Sequence, residues 1–346
     1  MQKDSKIFVA GHRGLVGSAI LQELQKQGYN QIITRHRSDL DLCDFAKVGE
    51  FFKSEKIDYV FFCAAKVGGI LANNTYRADF IYENLMMQNA ILFHAFQANV
   101  KKLLFLGSSC IYPKHSPQPI REDALLTSEL EYTNEPYAIA KIAGLKMCES
   151  FNLQYHTNFL SVMPTNLYGE NDQFELQGSH VLPALLRKFH LAKLLQQNQE
   201  EEIWKDFGDP KQLAQYGIFQ DKVEIWGSGK PRREFLHSQD MAKACIHIMQ
   251  NINFSDLIKE QTQIKNTHLN IGYGEDISIK DLAYLIKEII GFKGKIAFDQ
   301  SKPDGTMQKL LDSSKIRALG WKPSISLKEG IIQVYQHYLT HSHKRI

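Results

Sequence analysis

Short apolar runs alternate with amphipathic segments along the first half of this chain. Segments 15–27, 44–56, 79–98 and 134–152 repeat apolar residues with the spacing of one helix face. The runs between them have the length of buried strands, and they lie at 6–10, 31–34, 59–65, 103–106 and 159–163. Because strands and helices alternate, the pattern predicts an α/β protein with a doubly wound parallel sheet.

The pattern becomes less regular after about residue 165. It predicts helices at 238–251, 278–290 and 326–340, and strands at 223–226, 267–271 and 295–299. We therefore expect a sheet domain over 1–170, to which some later elements return, and a smaller C-terminal lobe over 171–346. Segment 195–222 is polar and acidic, which predicts a solvated surface insertion.

Composition narrows the function classes. The chain has 346 residues, of which 43% are hydrophobic and 23% charged, as in globular proteins. A net charge of +3 does not favour a nucleic-acid partner, and the longest apolar runs are far shorter than a membrane span. The first strand begins near residue 6, which leaves no room for a signal peptide. The five cysteines lack metal-ligand spacing, so we expect a reduced cytoplasmic protein without a metal site.

A glycine-rich turn joins the first predicted strand to the first predicted helix. Its sequence is Gly11-His12-Arg13-Gly14-Leu15-Val16-Gly17. Glycines permit a tight turn and let a pyrophosphate approach the amides at the helix N-terminus. Together with the flanking strand and helix, the GxxGxxG spacing predicts a Rossmann-type dinucleotide-binding domain.

The residues after the second strand favour a phosphorylated dinucleotide. NAD-binding sites usually carry an acid here for the ribose hydroxyls, whereas this chain has Thr34-Arg35-His36-Arg37. Guanidinium groups bind a 2′-phosphate through paired charged hydrogen bonds, so Arg37 and Arg13 predict NADP(H). Asp39 and Asp41 leave open that one of them is the missing acid. We expect Asp41 rather to cap the next element or to meet the adenine edge.

Three residues predict a site for hydride transfer at a carbonyl. Tyr137 and Lys141 are four residues apart on a predicted helix and so share one face. The lysine charge is expected to lower the tyrosine pKa from its usual value near ~10. Ser108 follows a strand and can bond the same carbonyl oxygen, with Ser109 as the other candidate serine. Cys110 adds a thiol at this strand end, which suggests proton chemistry on a neighbouring carbon.

Further motifs match one family. They are the glycine turn and segments 64–70, 73–76, 106–113, 134–141, 163–169, 179–181, 226–229, 233–237 and 302–306. On these residues the chain resembles the GDP-L-fucose synthases, a family of the extended short-chain dehydrogenase/reductase superfamily. The resemblance runs nearly end to end, and the segments around Cys110 and His180 are its family-specific part.

The resemblance implies a two-step reaction that converts GDP-4-keto-6-deoxy-D-mannose to GDP-L-fucose with NADPH. The ketone acidifies the protons on carbons 3 and 5, which are inverted with Cys110 as base and His180 as acid. Ser108 and Tyr137 stabilise the enolate oxygen, and Tyr137 protonates this oxygen as carbon 4 is reduced. Lys141 tunes Tyr137 and holds the nicotinamide ribose.

The resemblance also implies which residues contact the two ligands. Substrate contacts fall on Lys188, Trp226, Arg233 and Asp304, so the lobe over 171–346 is expected to bind mainly the nucleotide sugar. Lys188 stands where the family has a second arginine and lacks its bidentate fork. Trp226 either packs between the lobes or contacts the ligand. Cofactor contacts fall on Gly11, His12, Arg13, Gly14, Leu15, Val16, Gly17, Arg37, Asp41, Leu106, Gly107, Lys141, Pro164, Asn166, Leu167 and His180.

Other functions on the same scaffold stay open. A nucleotide-sugar 4-epimerase with tightly held NAD(P), or a 4,6-dehydratase, has the same glycine turn and Tyr-x-x-x-Lys pair. A dehydratase, however, needs an Asp-Glu pair where this chain has Ser109-Cys110. A non-catalytic NADP sensor is disfavoured because Ser108, Tyr137 and Lys141 are all present. The resemblance implies a homodimer formed through helices 79–98 and 134–152.

Overall fold

The computed structural model describes residues 1–176, 178–259 and 261–341. The first half contains β1 Ile7–Ala10, α1 Leu15–Lys26, β2 Ile32–Ile33, α2 Phe45–Glu55, β3 Tyr59–Phe62, α3 Ile70–Thr75, α4 Arg77–Gln97, β4 Lys102–Leu106, α5 Glu135–Tyr155, β5 Phe159–Pro164 and β6 Asn166–Tyr168. The second half contains α6 Val181–Gln196, α7 Glu200–Asp206, β7 Lys222–Trp226, β8 Arg232–His237, α8 Ser238–Asn251, α9 Phe254–Ile258, β9 Leu269–Ile271, β10 Asp276–Ser278, α10 Ile279–Ile290, β11 Lys295–Asp299, β12 Gln308–Lys309, α11 Ser314–Ala318 and α12 Leu327–His341. Short 3-10 helices lie at Ser109–Ile111, Glu122–Ala124, Tyr132–Asn134 and Pro210–Tyr216.

The N-terminal sheet has the predicted doubly wound form. Within the described residues it contains six parallel strands in the order β2-β1-β3-β4-β5-β9. Successive side chains of a strand point to opposite faces. Ile7 and Val9 accordingly enter the core that contains α1 and α8, whereas Phe8 and Ala10 enter the core beneath α2, α4 and α5. The prediction of an α/β fold is confirmed.

Strand order decides where a ligand can bind. The connection from β1 runs to β2 on one side, while β3, β4 and β5 extend the sheet on the other. Open sheets of this kind bind ligands at the carboxyl ends of the strands where the order reverses. The glycine turn after β1, the loop after β3 and the serines after β4 therefore meet at one edge.

The C-terminal half contributes to both parts of the molecule. Strand β9 joins the N-terminal sheet beside β5. Strand β8 pairs with β6, β10 and β12, and β7 pairs with β11 in a separate parallel ribbon. Helices α6, α10 and α12 pack with these strands around a third apolar core. The domain boundary at residue 170 stays a prediction, since elements on both sides of it share sheets.

The prediction that segment 195–222 is a solvated insertion is wrong in part, because the segment is folded and contributes buried side chains. It extends α6 and contains α7 and a 3-10 helix. Ile203, Leu213 and Ile218 are at most 1% exposed and belong to the core of the C-terminal lobe. Asp206 accepts a hydrogen bond of 2.9 Å from Arg187 Nε. Apart from the buried Asp206, most charged residues of the segment face water, and its few buried apolar side chains attach it to the core of the C-terminal lobe.

Most predicted boundaries agree with the structure to within three residues. Strands β6, β10 and β12 have no counterpart in the predictions, because two or three residues are too few to show a period. The predictions also missed strand β8 and the helices α3, α6, α7, α9 and α11. Among the described residues, no helix is both long enough and apolar enough to cross a membrane.

Candidate active site

The glycine turn has the shape that a dinucleotide phosphate requires. Gly11 has a positive φ of 84°, and a Cβ there would lie 2.7 Å from the Ala64 nitrogen. A Cβ on Gly17 would lie 2.1 Å from the Gly11 oxygen, so neither position accepts a side chain. Gly14 is the N-cap of α1 and provides no capping side chain, which leaves the first amides of the helix available to an anion. The turn therefore fits a pyrophosphate.

Two histidines and two arginines lie in this turn and after β2. We call these four residues the cofactor rim: His12, Arg13, His36 and Arg37. The His12 and His36 rings are 5.0 Å apart, which joins the glycine turn to the end of β2. Nδ1 of His12 is buried without a hydrogen-bond partner, and burial is the main cause of its lowered pKa. Arg13 is exposed and has no hydrogen bond or ion pair among the described residues. The rim thus offers unused donors to a phosphate.

The arginines after β2 have different partners. Arg35 turns inward, where it pairs with Glu55 and lies 5.3 Å from the Phe51 ring. Arg37 stays exposed and lies 3.5 Å from both Asp41 and Glu83. Of the two arginines, Arg37 is therefore the more exposed, and its contact with the cofactor stays a prediction.

Asp41 does not cap the next helix. Its Oδ1 accepts a 3.0 Å hydrogen bond from the Cys43 amide, while Asp44 is the N-cap of α2 and accepts one from Lys47. The expectation that Asp41 caps this helix is wrong. Residues 41–44 form a turn, closed by a hydrogen bond from the Asp44 amide to the Asp41 carbonyl, and the helix begins after Asp44. Asp41 remains beside Arg37 at the rim.

A serine, a thiol and a phenol meet after β4. The Cys110 amide donates a 3.4 Å hydrogen bond to Oγ of Ser108. The Ser108 hydroxyl is also near the phenol of Tyr137 and the thiol of Cys110, where it partly opposes the rise in pKa that burial causes in both groups. Ser109 is 5% exposed and its side chain is turned into the protein. Of the two candidate serines, Ser108 is therefore the one placed beside Tyr137.

Burial, and not the lysine, dominates the ionisation of Tyr137. Burial raises the pKa of Tyr137 above its ordinary value, and the neighbouring Cys110 adds to this rise. Nζ of Lys141 donates a 2.7 Å hydrogen bond to the Leu106 carbonyl and lies 5.7 Å from the centre of the Tyr137 ring. Burial lowers the pKa of Lys141 to about 8. The expected lowering of the tyrosine pKa is therefore wrong, and Tyr137 is held in its protonated form.

The predicted base and acid lie on different elements. Cys110 is buried in the 3-10 helix Ser109–Ile111, and burial raises the pKa of its thiol. His180 is the N-cap residue of α6 and keeps an exposed surface, although the protein packed around its ring lowers its pKa. A 3.3 Å hydrogen bond from the Gly69 amide to Gly178 ties the His180 loop to the loop after β3. His180 is therefore placed at the edge where β3 and β4 end.

The remaining cofactor positions line the carboxyl ends of two sheet strands. Leu106 and Gly107 end β4, and Pro164 ends β5. Asn166 donates a 2.9 Å hydrogen bond from Nδ2 to the carbonyl of Glu234, so its amide is directed at β8. Leu167 lies in β6, half-buried. These residues therefore lie at the carboxyl ends of β4 and β5 and in β6, which pairs with β8.

The predicted substrate residues divide into two groups. Trp226 is 65% exposed with Lys302 over its ring at 5.6 Å, so it does not pack in the core between the lobes. Arg233 donates from Nη1 to the carbonyls of Arg232 and Thr306, and burial lowers its pKa. The other Arg233 guanidinium nitrogens have no partner among the described residues. Trp226 and Arg233 thus retain surface for a ligand.

Lys188 and Asp304 instead hold the protein together. Nζ of Lys188 donates a 3.1 Å hydrogen bond to the Glu224 carbonyl, and burial lowers its pKa to about 8. Asp304 accepts hydrogen bonds from the Ser228 amide at 2.8 Å and the Ser228 hydroxyl at 2.6 Å. Both side chains support β7 and the loop that follows it, so in this structure neither is directed at a free ligand surface.

Sequence reasoning missed Lys309. It lies in β12, where it pairs in register with Arg233. Cys110 and Arg233 are among the groups whose charges act on its ammonium. The only signal in the sequence is that Lys309 follows the matched segment 302–306, since its strand is two residues long. We call Ser108, Cys110, Tyr137, Lys141, Arg233 and Lys309 the reaction pocket.

Comparison with known proteins assigns the family. Residues 7–272 match the NAD dependent epimerase/dehydratase family. The chain belongs to this family. The match covers most of the chain.

Relatives within the NAD dependent epimerase/dehydratase family confirm the resemblance to GDP-L-fucose synthases. The chain is 52% identical to putative GDP-L-fucose synthase 2 of Arabidopsis thaliana, over 98% of this chain and 93% of that protein. It is 50% identical to GDP-L-fucose synthase of Escherichia coli K12, over 96% of each chain. A solved GDP-D-glycero-L-gluco-heptose synthase of Campylobacter jejuni, studied in the presence of NADPH, is 48% identical and superposes with a TM-score of 0.94 over 98% of this chain and 99% of that one.

Proposed function

We propose that this protein is an enzyme that converts GDP-4-keto-6-deoxy-D-mannose to GDP-L-fucose with NADPH. One observation carries the proposal: the hydroxyl of Ser108, which accepts a hydrogen bond from the Cys110 amide, is near both the phenol of Tyr137 and the thiol of Cys110. The group that protonates the carbonyl oxygen and the group that takes a proton from the neighbouring carbon are therefore near the same serine hydroxyl. The strong likeness to several GDP-L-fucose synthases supports the sugar and the nucleotide.

Epimerisation uses the thiol side of this arrangement. The Cys110 thiolate takes the proton from carbon 3 or carbon 5, and the electron pair of that C–H bond passes to the carbonyl oxygen. Ser108 and Tyr137 donate hydrogen bonds to the enolate oxygen as its charge develops. His180, as imidazolium, returns a proton on the opposite face of the sugar. Burial lowers the pKa of His180, so this protonated form is more populated toward acidic pH.

Reduction uses the phenol side. NADP(H) supplies the hydride for carbon 4 when it is bound. Tyr137 protonates the carbonyl oxygen, and its raised pKa ensures that the proton is present at neutral pH. Lys141, anchored on the Leu106 carbonyl, fixes the position of the helix that carries Tyr137 and presents its ammonium to the nicotinamide ribose.

The residues present fit this cofactor. The glycine turn and the amides of α1 receive the pyrophosphate. Arg13, which has no partner in the described part of the chain, and Arg37 receive the 2′-phosphate, with His12 and His36 beside them. Asp41 lies next to Arg37 and faces the adenosine end. A cation-lined rim of this kind favours NADPH over NADH.

The nucleotide sugar binds across the C-terminal lobe. Arg233 and Lys309 are cations on paired strands, with no ion pair of their own within the described residues, and they suit a diphosphate. Trp226 presents an exposed ring to the nucleotide. Lys188 and Asp304 act indirectly, through the strand and loop that carry Trp226. Asn166 lies near the sugar end through its hydrogen bond with β8.

A second candidate substrate is a GDP-linked keto-heptose. The C. jejuni heptose synthase is 48% identical to this chain, close to the identity of the fucose enzymes. The same phenol, serine and lysine serve the reduction of either ketone. The two candidate substrates therefore differ in the substituent on carbon 6 of the sugar and not in the reacting group. The reaction class is unchanged between them.

The decisive assay follows NADPH consumption and product identity. Purified enzyme is mixed with GDP-4-keto-6-deoxymannose, and in parallel with a GDP-4-keto-heptose and with UDP-glucose. We expect one NADPH oxidised per GDP-L-fucose formed, a much lower kcat/KM with the heptose, and no oxidation with UDP-glucose. A higher kcat/KM with the heptose would assign the second candidate, and tightly held NAD with turnover of UDP-glucose would indicate a 4-epimerase.

A matched variant tests the epimerisation step. Cys110→Ser keeps the size and polarity of the side chain but removes the thiolate. In deuterated water we expect deuterium incorporation at carbons 3 and 5 to fall by about 10²–10⁴-fold. Binding of NADPH should be unchanged. Incorporation at the wild-type rate would remove Cys110 from the mechanism.

We propose that the protein acts as a cytoplasmic homodimer. Helices α4 and α5 pack together, and they leave Tyr82, Ile139 and Leu153 exposed. Such apolar side chains on a helix pair suit an interface between two copies of the chain. Sedimentation of wild type and of Ile139→Glu tests this: a monomeric wild type would refute the dimer. The five free cysteines suit a reducing compartment, which cell fractionation would test.

A further inference from the structure

The short piece of chain that carries Cys110 is anchored at both of its ends. We call residues 108–112 the thiol segment, which leads from the end of β4 through a three-residue 3-10 helix. Just before its first residue, the Gly107 amide donates a 2.8 Å hydrogen bond to the Val162 carbonyl of β5. At its other end Tyr112 is the C-cap of the 3-10 helix, and it is 4% exposed. The position of the thiol therefore depends on both anchors.

Two side chains at β9 hold the hydroxyl of Tyr112. The hydroxyl lies 2.9 Å from Nε2 of His268, which directly precedes β9, and it donates a hydrogen bond to Oδ1 of Asn270 within that strand. Side chains two residues apart in an extended chain point to the same face, so both reach the phenol from one side. His268 and Asn270 are at most 1% exposed. The second anchor of the thiol segment is therefore a buried group of three polar side chains.

The donors and acceptors of these three side chains match. Asn270 donates a 2.9 Å hydrogen bond from Nδ2 to the Ile120 carbonyl, so its Oδ1 faces the phenol as an acceptor. The single proton of the Tyr112 hydroxyl therefore goes to Asn270, and the phenol oxygen accepts from the Nε2–H of His268. Burial lowers the pKa of His268 to about 3, so its ring is neutral. Its Nδ1 then carries no proton, in keeping with a buried atom that has no hydrogen-bond partner among the described residues.

The same asparagine connects the thiol segment with the strands of the proposed substrate site. The backbone amide of Asn270 donates a 3.1 Å hydrogen bond to Oε1 of Glu122. The Ile120 carbonyl, which Asn270 holds, also accepts a 2.8 Å hydrogen bond from the Asp312 amide, shortly after β12. Because β12 pairs with β8 beside Arg233, the framework around Asn270 supports both regions. Tyr112 thus fixes the thiol segment to a part of the protein that also holds a proposed substrate residue.

The hydrogen bonds within the thiol segment do not replace this anchor. The Cys110 amide donates to Oγ of Ser108 at 3.4 Å, and the Ile111 and Tyr112 amides donate to carbonyls two positions before Cys110 and Ile111 … at 3.3 and 3.4 Å. These bonds are long and join residues of the segment to one another. Ile111 and the Tyr112 ring also pack in an apolar core, but packing is less directional than a hydrogen bond. The bonds of the Tyr112 hydroxyl are therefore the directional link from this end of the segment to β9.

We propose that Tyr112 is a positioning residue for epimerisation, whose hydroxyl, held by His268 and Asn270, keeps the thiol segment where the Cys110 sulfur reaches the substrate. The inference rests on the proposed function of Cys110 as the base. Tyr112 touches neither the sugar nor the cofactor in this role and acts through the chain that joins it to Cys110. A displacement of about 1 Å at a reacting group can lower a rate by about 10²-fold, so a small shift of the segment has a large effect.

Amide hydrogen exchange in the free enzyme tests the anchor without any turnover. Tyr112→Phe removes the hydroxyl and keeps the ring in the apolar core. We expect the protection of a peptide that covers the thiol segment to fall by about 3–10-fold, because the hydrogen bonds that fix the segment are lost. Unchanged protection in Tyr112→Phe would overturn the inference.

A pair of histidine variants gives the conservative rescue. His268→Leu removes the donor to the phenol oxygen, and we expect protection of the thiol segment to fall as in Tyr112→Phe. His268→Gln offers an amide N–H to the same oxygen and should retain most of the protection. This pair also serves if Tyr112→Phe does not fold. Equal protection in the two histidine variants would overturn the inference.

Tyr338→Phe is the matched control. It removes another buried phenolic hydroxyl, which donates to Asp206 in the C-terminal lobe, and it should lower the Tm about as much as Tyr112→Phe. With GDP-4-keto-6-deoxymannose in deuterated water, we expect Tyr112→Phe to incorporate deuterium at carbons 3 and 5 about 10–100-fold more slowly than wild type, with KM within about 2-fold. Tyr338→Phe should incorporate it at the wild-type rate. An equal fall in both variants would attribute the effect to lost stability and overturn the inference.

Hydride transfer in the reverse direction separates the two steps of the reaction. Transfer from carbon 4 of GDP-L-fucose to NADP⁺ in a single turnover needs no epimerisation, so Tyr112→Phe should retain most of the wild-type rate. A fall equal to that of deuterium incorporation would overturn the assignment of Tyr112 to epimerisation. Wild type that incorporates no deuterium, with protection lost in Tyr112→Phe, would refute the base function of Cys110 and not the anchor. Incorporation at the wild-type rate in Tyr112→Phe would overturn the inference alone.

Discussion

The cofactor rim and the reaction pocket are both positively charged, but the two regions accommodate this charge in different ways. At the rim, Arg37 is exposed and lies 3.5 Å from each of two acids, Asp41 and Glu83. In the pocket, Lys309 has no ion pair among the described residues, and burial lowers its pKa and that of Arg233.

This difference has a physical consequence. Exposed charges are screened by water and salt, so each contributes modestly to binding and can be exchanged at little cost. Desolvated charges interact strongly, and a desolvated charge without a counter-charge is destabilising. An anion that binds beside such a charge therefore contributes far more to the binding free energy. In the proposed function, the exposed charges of the rim contribute to the choice of cofactor, whereas the partly buried charges of the pocket contribute to substrate binding.

The largest expected effect is in the pocket. Tyr137→Phe removes the proton donor but keeps the ring that packs against Phe80. We expect the rate of carbonyl reduction to fall by about 10²–10⁴-fold, measured as NADPH oxidation in single turnover. The dissociation constant of NADPH should stay near that of wild type. A loss of less than tenfold would show that another group protonates the oxygen.

Substitution of the buried arginine should affect substrate binding alone. For Arg233→Met we expect the KM for the nucleotide sugar to rise by roughly 10–100-fold, since charged hydrogen bonds in a desolvated site contribute about 1.5–3 kcal/mol. The increase should depend little on salt. A KM that recovers fully at high salt, or an equal loss of NADPH affinity, would contradict the contrast between the two regions.

Substitution of the free rim arginine should have a smaller and more salt-sensitive effect. For Arg13→Ala we expect the KM for NADPH to rise by roughly 5–10-fold at low salt, and the KM for NADH to stay nearly constant. The ratio of the two constants, measured at two ionic strengths, checks this. A matched loss for NADH would place Arg13 on the pyrophosphate and not on the 2′-phosphate.

The smallest expected effect concerns the acid beside Arg37. Asp41→Asn removes one of two partly exposed ion pairs, and so releases Arg37 toward the cofactor. We expect NADPH to bind about 2-fold more tightly, in keeping with about 0.5 kcal/mol for an exposed pair. Titration of NADPH fluorescence measures this change. Weaker binding would instead show that Asp41 itself contacts the adenosine.

Local motifs explain why much of the molecule was predictable. Strand β1, the glycine turn and α1 follow one another in sequence, and the close approach of Gly17 to Gly11 joins two residues of the same turn. Tyr137 and Lys141 likewise occupy one helix, and Ser108 directly follows a strand. The roles of Cys110 and His180, in contrast, came from a family resemblance and remain proposals.

Errors arose where distant segments meet. The helical spacing of Tyr137 and Lys141 suggested a lowered tyrosine pKa, but burial from several elements outweighs the lysine charge. Segment 195–222 seemed fully solvated by composition, yet three apolar residues complete a core contributed by α6, α10 and α12. Asp304 matched a substrate motif, but its carboxylate is occupied by Ser228.

The sequence by itself determined the alternation of strands and helices, the glycine turn, the Tyr137–Lys141 pair and the surplus of cations after β2, because each depends on neighbours along the chain. Tertiary structure alone decided that Ser108 is near both a phenol and a thiol, and that Lys309 lies in register with Arg233 on the neighbouring strand. The physical reason is that burial and long-range charge depend on how segments pack, and neither leaves a period or a motif in the chain.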